Sequence, residues 1–211
     1  MKHYTHMQAV EQIHAGDQVL LRIIDDSMAQ VTRKSGAWIA CKPGCSACCL
    51  GPFAITQIDA IRLERGLDEL EAADPARAER VRERARQYIE LVADEFPGDP
   101  GTGILNEVDG EDVLPPNVDE EPCPALDPET GCCDLYAYRP ITCRTFGPAV
   151  RTGPEAVSIC ELCYVAATPE EIAECAVEID QDGCEANLLD QLDARGRSGL
   201  TIVAFALGRR D

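Results

Sequence analysis

Twelve cysteines in a chain of 211 residues constrain the fold more than any other feature. Ten of them fall into two dense groups, one over 41–49 and the other over 123–163. Four thiols within nine residues, beside the turn residues Pro43 and Gly44, fit metal chelation better than core packing. Closely spaced soft ligands need little extra chain to be ordered when an ion binds. The segment CKPGCSACC therefore predicts a metal site, without a regular helix or strand.

Cysteine usage and the start of the chain predict a reducing compartment. Twelve cysteines in 211 residues are about 6%, below the roughly 8–10% typical of disulfide scaffolds. The opening residues MKHYTHMQAVEQIHAGDQ lack the apolar run of a secretory signal peptide. We therefore expect a cytoplasmic protein whose cysteines bind metal or take part in redox chemistry.

The charge balance excludes two classes of partner. With 38 Asp and Glu against 19 Lys and Arg, the formal net charge is −19. An acidic surface repels both nucleic acid and anionic membranes, so neither is expected as a partner. The longest apolar stretches, at 19–21 and 202–207, are far shorter than a bilayer span. A protein partner, such as a basic redox protein, and the oligomeric state stay open.

Helical periodicity predicts a mainly α fold around an irregular, cysteine-rich, metal-stapled core. An N-terminal helix is expected within 1–40, with Asp17 as the N-cap of its main part and Gly36 as its stop. Two further helices, over 56–73 with Thr56 as N-cap and over 74–96 with Asp74 as N-cap, are expected to form a hairpin inserted between the cysteine groups. Their many Arg and Glu residues indicate a solvated face.

The cysteine-cluster domain is expected to span 41–165, with an acidic, structureless loop over 97–122. The segment 166–211 is expected to be a helical part of the same domain. It opens on a capping box at Thr168 and Glu171, followed by a helix to about residue 179. Periodicity leaves open whether 201–207 is helix or strand.

Three sequence blocks carry a family resemblance: CKPGCSACC, CPALD at 123–127 and CDLYAYRPITCRTF at 133–146. Together they resemble the YkgJ-like cysteine-cluster family, whose domain is described as zinc- or iron-chelating. The resemblance covers 41–163 and implies a set of thiolate ligands. These are Cys41, Cys45, Cys48, Cys49, Cys123, Cys133 and Cys143, with Cys160 or Cys163 as the eighth. Three other cysteines are interpreted as small buried hydrophobic residues: Cys132, Cys175 and Cys184.

Three further residues are candidates for contacts with the metal-bound sulfurs, because the negative charge of the site must be compensated. Four thiolates around Zn²⁺ or a [4Fe–4S]²⁺ core leave a site charge of −2, which requires nearby cations or hydrogen-bond donors. Arg139 and Arg144 lie within a few residues of Cys143 and are expected to supply positive charge. Tyr136 either donates to a sulfur or serves as a core aromatic residue.

Two functions fit this ligand set. The first is a [4Fe–4S] protein whose cluster bridges the two cysteine groups and serves electron transfer or redox sensing. The second is a non-catalytic protein with a structural zinc site, because zinc saturated by thiolates has no open position. Ligand type alone does not separate them, and whether the chain is an enzyme stays open.

Three other functions rank lower. A thiol–disulfide enzyme is suggested by the Cys160-Glu-Leu-Cys163 motif, which lacks a thioredoxin-like βαβ setting. The CxxxCxxC spacing of Cys41, Cys45 and Cys48 matches radical S-adenosylmethionine enzymes, but Ala47 stands where that family has an aromatic residue. Flagellin lysine methylases carry similar clusters, yet no glycine-rich nucleotide fingerprint follows a clear strand here.

Overall fold

The protein is described by a computed structural model that covers residues 2–108, 111–112, 114–115, 118–154 and 156–209. Side chains are described for 11–107, 114–115, 118–154 and 156–209. The chain divides into two compact units. The first unit comprises Met1–Lys42 and Ile141–Gly196, and the second comprises Pro43–Pro140 and Arg197–Asp211. The division into 1–40, 41–165 and 166–211 stays a prediction.

Seven α-helices within the described ranges make the fold mainly α, as predicted. They are α1 (Lys2–Ser35), α2 (Gln57–Ala73), α3 (Pro75–Val92), α4 (Ile141–Thr145), α5 (Pro169–Cys175), α6 (Cys184–Asp193) and α7 (Val203–Gly208). None of these helices, as far as the chain is described, has the length and apolar character needed to cross a membrane.

The described strands are two residues long and pair antiparallel. The pairs are β1 (Ala54–Ile55) with β8 (Thr201–Ile202), β2 (Gly98–Asp99) with β3 (Ile104–Leu105), β4 (Glu107–Val108) with β5 (Glu111–Asp112), and β6 (Val150–Arg151) with β7 (Val157–Ser158). The predicted acidic loop over 97–122 thus contains two small hairpins. Five of its positions, 109, 110, 113, 116 and 117, lie outside the described residues.

The first unit is organised along α1. This helix buries Ile13, Leu20 and Ile24, and it packs against α4, α5 and α6. The prediction that Asp17 is an N-cap is wrong, because α1 continues through it and the residue is buried in the helix interior. The predicted stop at Gly36 is confirmed: its φ of +54° is a left-handed conformation that suits glycine and ends the helix.

The segment after α5 is extended, which corrects the predicted helix end at about residue 179. The capping box of Thr168 and Glu171 is present as predicted. The helix nevertheless ends at Cys175, which is buried as predicted. Val177 then donates its N–H to the Ala149 carbonyl at 3.1 Å. Pairing with a neighbouring segment therefore replaces the last predicted helical turn.

The second unit contains the predicted helical hairpin. The side chain of Thr56 accepts a hydrogen bond from the Asp59 N–H at the start of α2. Asp74 caps α3 in the same way, with Pro75 at the first helical position. The helix α7 packs against both helices of the hairpin. The segment 201–207, for which the sequence left helix and strand open, contains both: two strand residues are followed by a short helix.

Two arginines of α3 do not belong to the predicted solvated face. Arg77 Nε and Arg84 Nη2 donate to the two carboxylate oxygens of Asp134 at 2.5 and 2.6 Å. The Asp134 side chain is only 2% exposed. Arg84 Nε also donates to the carbonyl of Pro124 at 2.8 Å. The third helix therefore holds the two loops that carry Cys123 and Cys133.

We expect Asp134→Asn to lower the free energy of unfolding by about 1–3 kcal/mol, measured by urea denaturation. Removing one member of a buried ion pair typically costs about 3–5 kcal/mol, and the partial exposure of both arginines reduces this value. Glu83→Gln serves as the control, because the Glu83 carboxylate contacts Arg86 and Gln87 on the exposed surface of the same helix. Equal destabilisation by both substitutions would contradict the anchoring role of Asp134.

Candidate metal centre

Backbone hydrogen bonds join three cysteine-bearing segments of the second unit. The Cys123 N–H donates to the Cys49 carbonyl at 2.7 Å, which fixes the second segment against the first. Leu126 and Cys133 form an antiparallel bridge, which brings in the third segment. The backbone therefore positions thiols from both cysteine groups of the sequence beside one another.

Four thiols form what we call the unit 2 thiol group: Cys48, Cys49, Cys123 and Cys133. The Cys49 thiol donates a hydrogen bond to the Cys48 sulfur. The charges of Cys48, Cys123 and Cys133 each act on Cys49, and the charge of Cys133 acts on Cys123. Each of the four thiols thus lies close enough to at least two others for their charges to affect its pKa or theirs.

The four thiols differ in acidity. The hydrogen bond from Cys49, aided by the positive charge of Arg139, lowers the pKa of Cys48 to about 6 despite partial burial. The same hydrogen bond, together with burial, raises the pKa of Cys49. Burial raises the pKa of Cys123 to about 12 and also raises that of Cys133. One thiolate and three protonated thiols are therefore present at neutral pH without metal.

Arg139 is held in a defined position beside the unit 2 thiol group. Its guanidinium lies over the ring of Tyr136, 3.9 Å from the centroid, and donates to the Tyr136 carbonyl at 3.0 Å. Arg62, which pairs with Asp59 at 2.5 Å in the interior, donates to the Arg139 carbonyl at 3.5 Å. Tyr136 is 64% exposed, so the alternative that made it a core aromatic residue is wrong.

Three cysteines of the first unit form a separate group, the unit 1 thiol group: Cys41, Cys160 and Cys163. The sulfurs of Cys41 and Cys163 are 4.0 Å apart. The Cys160 N–H donates to the Gly147 carbonyl at 3.2 Å. Gly147 has φ +115°, and a Cβ there would lie 2.7 Å from the Cys41 sulfur. Only glycine leaves room for this sulfur.

A buried tyrosine supports the unit 1 thiol group and was not predicted from the sequence. Tyr164 follows Cys163 directly and has φ +55°, a rare conformation for a bulky residue. Its hydroxyl accepts from the Ala149 N–H at 2.9 Å and lies 2.5 Å from the Ser35 hydroxyl. These bonds hold the backbone of the Cys160–Cys163 turn in place.

The remaining predicted site residues lie in both units. In the second unit, Cys45 is half-buried in the turn that precedes a short 3-10 helix, Ala47–Cys49. In the first unit, Cys143 is half-buried on α4. Arg144 pairs with Asp25 at 2.9 Å, and its side chain is 6% exposed. Their roles as ligands or charge partners stay predictions.

Two cysteines were interpreted from the sequence as buried hydrophobic residues and are not. Cys132 is exposed and directly follows the turn that the Gly131 N–H to Asp127 carbonyl hydrogen bond closes. Cys184 is half-buried at the start of α6. Burial alone therefore does not separate the cysteines outside the ligand set from those within it.

Sequence reasoning missed Asp134, Arg84 and Tyr88 as residues that bear on the site. Tyr88 lines a pocket in the second unit together with Cys123. The other lining residues are Gly51, Pro52, Phe53, Pro124, Ile202, Val203 and Ala204. Burial, with the nearby Cys123 charge, raises the pKa of the Tyr88 hydroxyl, which keeps it protonated. An aromatic residue at helical spacing is typical of ordinary core packing, so the sequence does not indicate that Tyr88 lies beside Cys123.

The donor set fits zinc or iron, although the thiols are not yet arranged as a closed site. Within the described side chains, no group of three or more His, Cys, Asp or Glu residues has the spacing that would hold an ion. The unit 2 thiol group nevertheless supplies four soft ligands, one of them already a thiolate. Side-chain rotation and loss of thiol protons would complete the ligand set.

Residues 40–164, more than half of the chain, match the family model CxxCxxCC, described as a putative zinc- or iron-chelating domain. The chain belongs to this family. The CxxCxxCC match confirms the predicted resemblance at the level of the family and supports metal binding through the cysteines. No curated protein and no solved structure matches the chain.

In metal-free protein we expect iodoacetamide to alkylate Cys48 much faster than Cys123 at pH 7, since the thiolate is the reactive form. The rate at Cys48 should rise with pH through a midpoint near 6, where its thiolate forms. Peptide mass spectrometry measures both rates. Cys49→Ala removes the hydrogen-bond donor and should move the midpoint upward. Equal rates at Cys48 and Cys123 would show that the difference in acidity is absent.

Proposed function

We propose that the protein binds zinc or iron through the four thiolates of the unit 2 thiol group. The observation that supports this most strongly is the convergence of four thiols from three chain segments, joined by the Cys123–Cys49 backbone hydrogen bond. Cys123 and Cys133 also pack against the apolar core, but core packing does not account for the half-buried Cys48 and Cys49 beside them. Soft thiolate ligands select zinc and iron over the hard cations.

Each neighbouring residue has a task in this proposal. Cys48 supplies the first thiolate, and the other three cysteines release protons when they bind. Arg139 offsets the negative charge that four thiolates retain after coordination. Arg84 and Asp134 hold the two loops, so their role is to orient ligands without touching the ion.

A single zinc ion is the occupant that the sulfur contacts favour. Four sulfurs at roughly 2.3 Å from zinc lie about 3.8 Å from one another in a tetrahedron. The Cys48 and Cys49 thiols are already within hydrogen-bonding reach of each other, which favours such a compact arrangement. Zinc would supply a fixed cross-link among three segments, with no open position for a substrate. The protein would then be a non-catalytic binding module in the cytoplasm.

An iron–sulfur cluster used for electron transfer or redox sensing is the second candidate. The half-buried Cys45, a fifth thiol in the same segment as Cys48 and Cys49, favours it, because one tetrahedral zinc ion needs only four ligands. In a [4Fe–4S] cluster each cysteine binds a different iron, so its sulfurs must stand further apart than in a zinc site. A redox partner protein would follow from this function.

The unit 1 thiol group is proposed as a second, weaker metal site. Its sulfur–sulfur distance of 4.0 Å, between Cys41 and Cys163, is close to the tetrahedral value. Cys160 is the third ligand, and Cys143 on the adjoining stretch of chain before Gly147 is the candidate for the fourth. Full occupancy would then be two metal ions per chain.

Metal and acid-labile sulfide analysis decides between these occupants. The protein is purified without oxygen from cells supplied with iron and zinc, and its visible spectrum is recorded. Zinc without sulfide supports the zinc site, and equal amounts of iron and sulfide support the cluster. Protein that holds neither metal, and takes up none on reconstitution, overturns the proposal.

We expect Cys133→Ser to remove one metal equivalent and lower the melting temperature, because metal binding to such sites is coupled to folding. Its neighbour Cys132 is exposed and outside the unit 2 thiol group, so Cys132→Ser is the matched control and should keep full metal content. The metal content of Cys163→Ser, compared with that of Cys132→Ser, tests the proposed site at the unit 1 thiol group. Undiminished metal in Cys133→Ser would remove the unit 2 thiol group from consideration.

A further inference from the structure

Tyr88 has a buried hydroxyl without a hydrogen-bond partner in the part of the chain that the structure describes. The residue is only 5% exposed. Buried tyrosine hydroxyls usually find a partner, because an unpaired polar group in the interior loses its hydration without compensation. A phenylalanine at this position would fill the same space without that loss. The orphaned hydroxyl therefore calls for a partner that the metal-free protein does not offer.

The position of Tyr88 on α3 directs it to Cys123. Arg84 lies one helical turn earlier on the same face and donates to the carbonyl of Pro124. The residue next along the helix face, Tyr88, lines one pocket with both Cys123 and Pro124. The other side chains that line the pocket are apolar, among them Phe53 and Ile202. Among the side chains that line this pocket with Tyr88, only that of Cys123 has an atom that can accept a hydrogen bond.

A thiol and a metal-bound thiolate differ as acceptors. A protonated Cys123 sulfur is a weak acceptor, so it leaves the phenol without a proper partner. Coordination removes the thiol proton and places negative charge on the sulfur. Hydrogen bonds to charged acceptors are roughly twice as strong as those between neutral groups. The hydroxyl of Tyr88 thus gains a strong acceptor only when metal binds.

We propose that Tyr88 donates its hydroxyl hydrogen to the metal-bound sulfur of Cys123 and is a positioning residue of the unit 2 metal centre. This inference rests on the proposed function of that thiol group. The hydrogen bond fixes the orientation of the Cys123 ligand and reduces the charge on its sulfur. Partners of this outer kind typically raise metal affinity by about 10–100-fold.

The test compares Tyr88→Phe with Tyr138→Phe. Tyr138 belongs to the same unit, and its hydroxyl bonds Glu69, so the control removes a hydroxyl that has a partner of its own. Zinc affinity is measured by chelator competition on the full chain. Cobalt(II) serves as a spectroscopic probe, because its charge-transfer band reports directly on the bound sulfurs.

For Tyr88→Phe we expect unchanged metal stoichiometry, affinity lower by about 10-fold or more, and a shifted sulfur-to-cobalt band. The melting temperature of the metal-free variant should equal or exceed that of the parent, because the substitution removes an unpaired buried hydroxyl. Tyr138→Phe should leave affinity and spectrum unchanged. If the isolated protein holds an iron–sulfur cluster, its reduction potential replaces the cobalt band and should fall in Tyr88→Phe.

Two results would overturn the inference, and they are distinguishable from failure of the proposed function. Parental affinity and an unshifted band in Tyr88→Phe would show that the hydroxyl does not bond the Cys123 sulfur. An equal loss of affinity in Tyr138→Phe would show a general effect of removing hydroxyls from this unit. If the parent protein itself takes up no metal, the proposed function fails, and the inference fails with it.

Discussion

The ion pair between Arg84 and Asp134 is the interaction on which the candidate site depends. One guanidinium, at the middle of α3, holds the Pro124 carbonyl and the Asp134 carboxylate at once. Those two groups directly neighbour Cys123 and Cys133. A rigid helix thereby fixes two irregular loops, which backbone hydrogen bonds also join to each other, such as that from the Asp134 N–H to the Ala125 carbonyl. The ion pair ties these joined loops to the helical hairpin without any bond between their thiols.

Charge explains why the site requires an arginine as well as a scaffold. The protein carries a net charge of −19, and each new thiolate adds to the negative potential. Arg139 opposes this locally, where it lowers the pKa of Cys48 and limits the rise at Cys133. Its guanidinium is immobilised between the Tyr136 ring and the Tyr136 carbonyl. A fixed cation loses less conformational freedom on pairing than a mobile surface lysine would.

Local signals in the sequence predicted the helices better than the loops. The N-caps at Thr56, Asp74 and Thr168 were predicted correctly, because an N-cap depends on residues within one helical turn. The cysteine motifs likewise identified the family. The roles of Arg77 and Arg84 were missed, since their partner Asp134 lies 50 or more residues away and no local spacing encodes such a contact. The Asp17 cap was wrong because apolar positions that precede it continue the same helix.

The unpaired hydroxyl of Tyr88 bears on how metal and folding are coupled. A metal-free fold that already contained every hydrogen bond would gain little from the ion beyond the ligand bonds themselves. Here the interior holds an unpaired phenol, and three of four adjoining thiols have raised pKa values. The unpaired phenol disfavours the metal-free state, whereas the raised pKa values favour protonated thiols, so their loss of protons on coordination opposes metal binding. Metal binding in this protein would therefore stabilise the second unit through the ligand bonds and the new partner for the Tyr88 hydroxyl, less the cost of deprotonating the three thiols whose pKa values are raised.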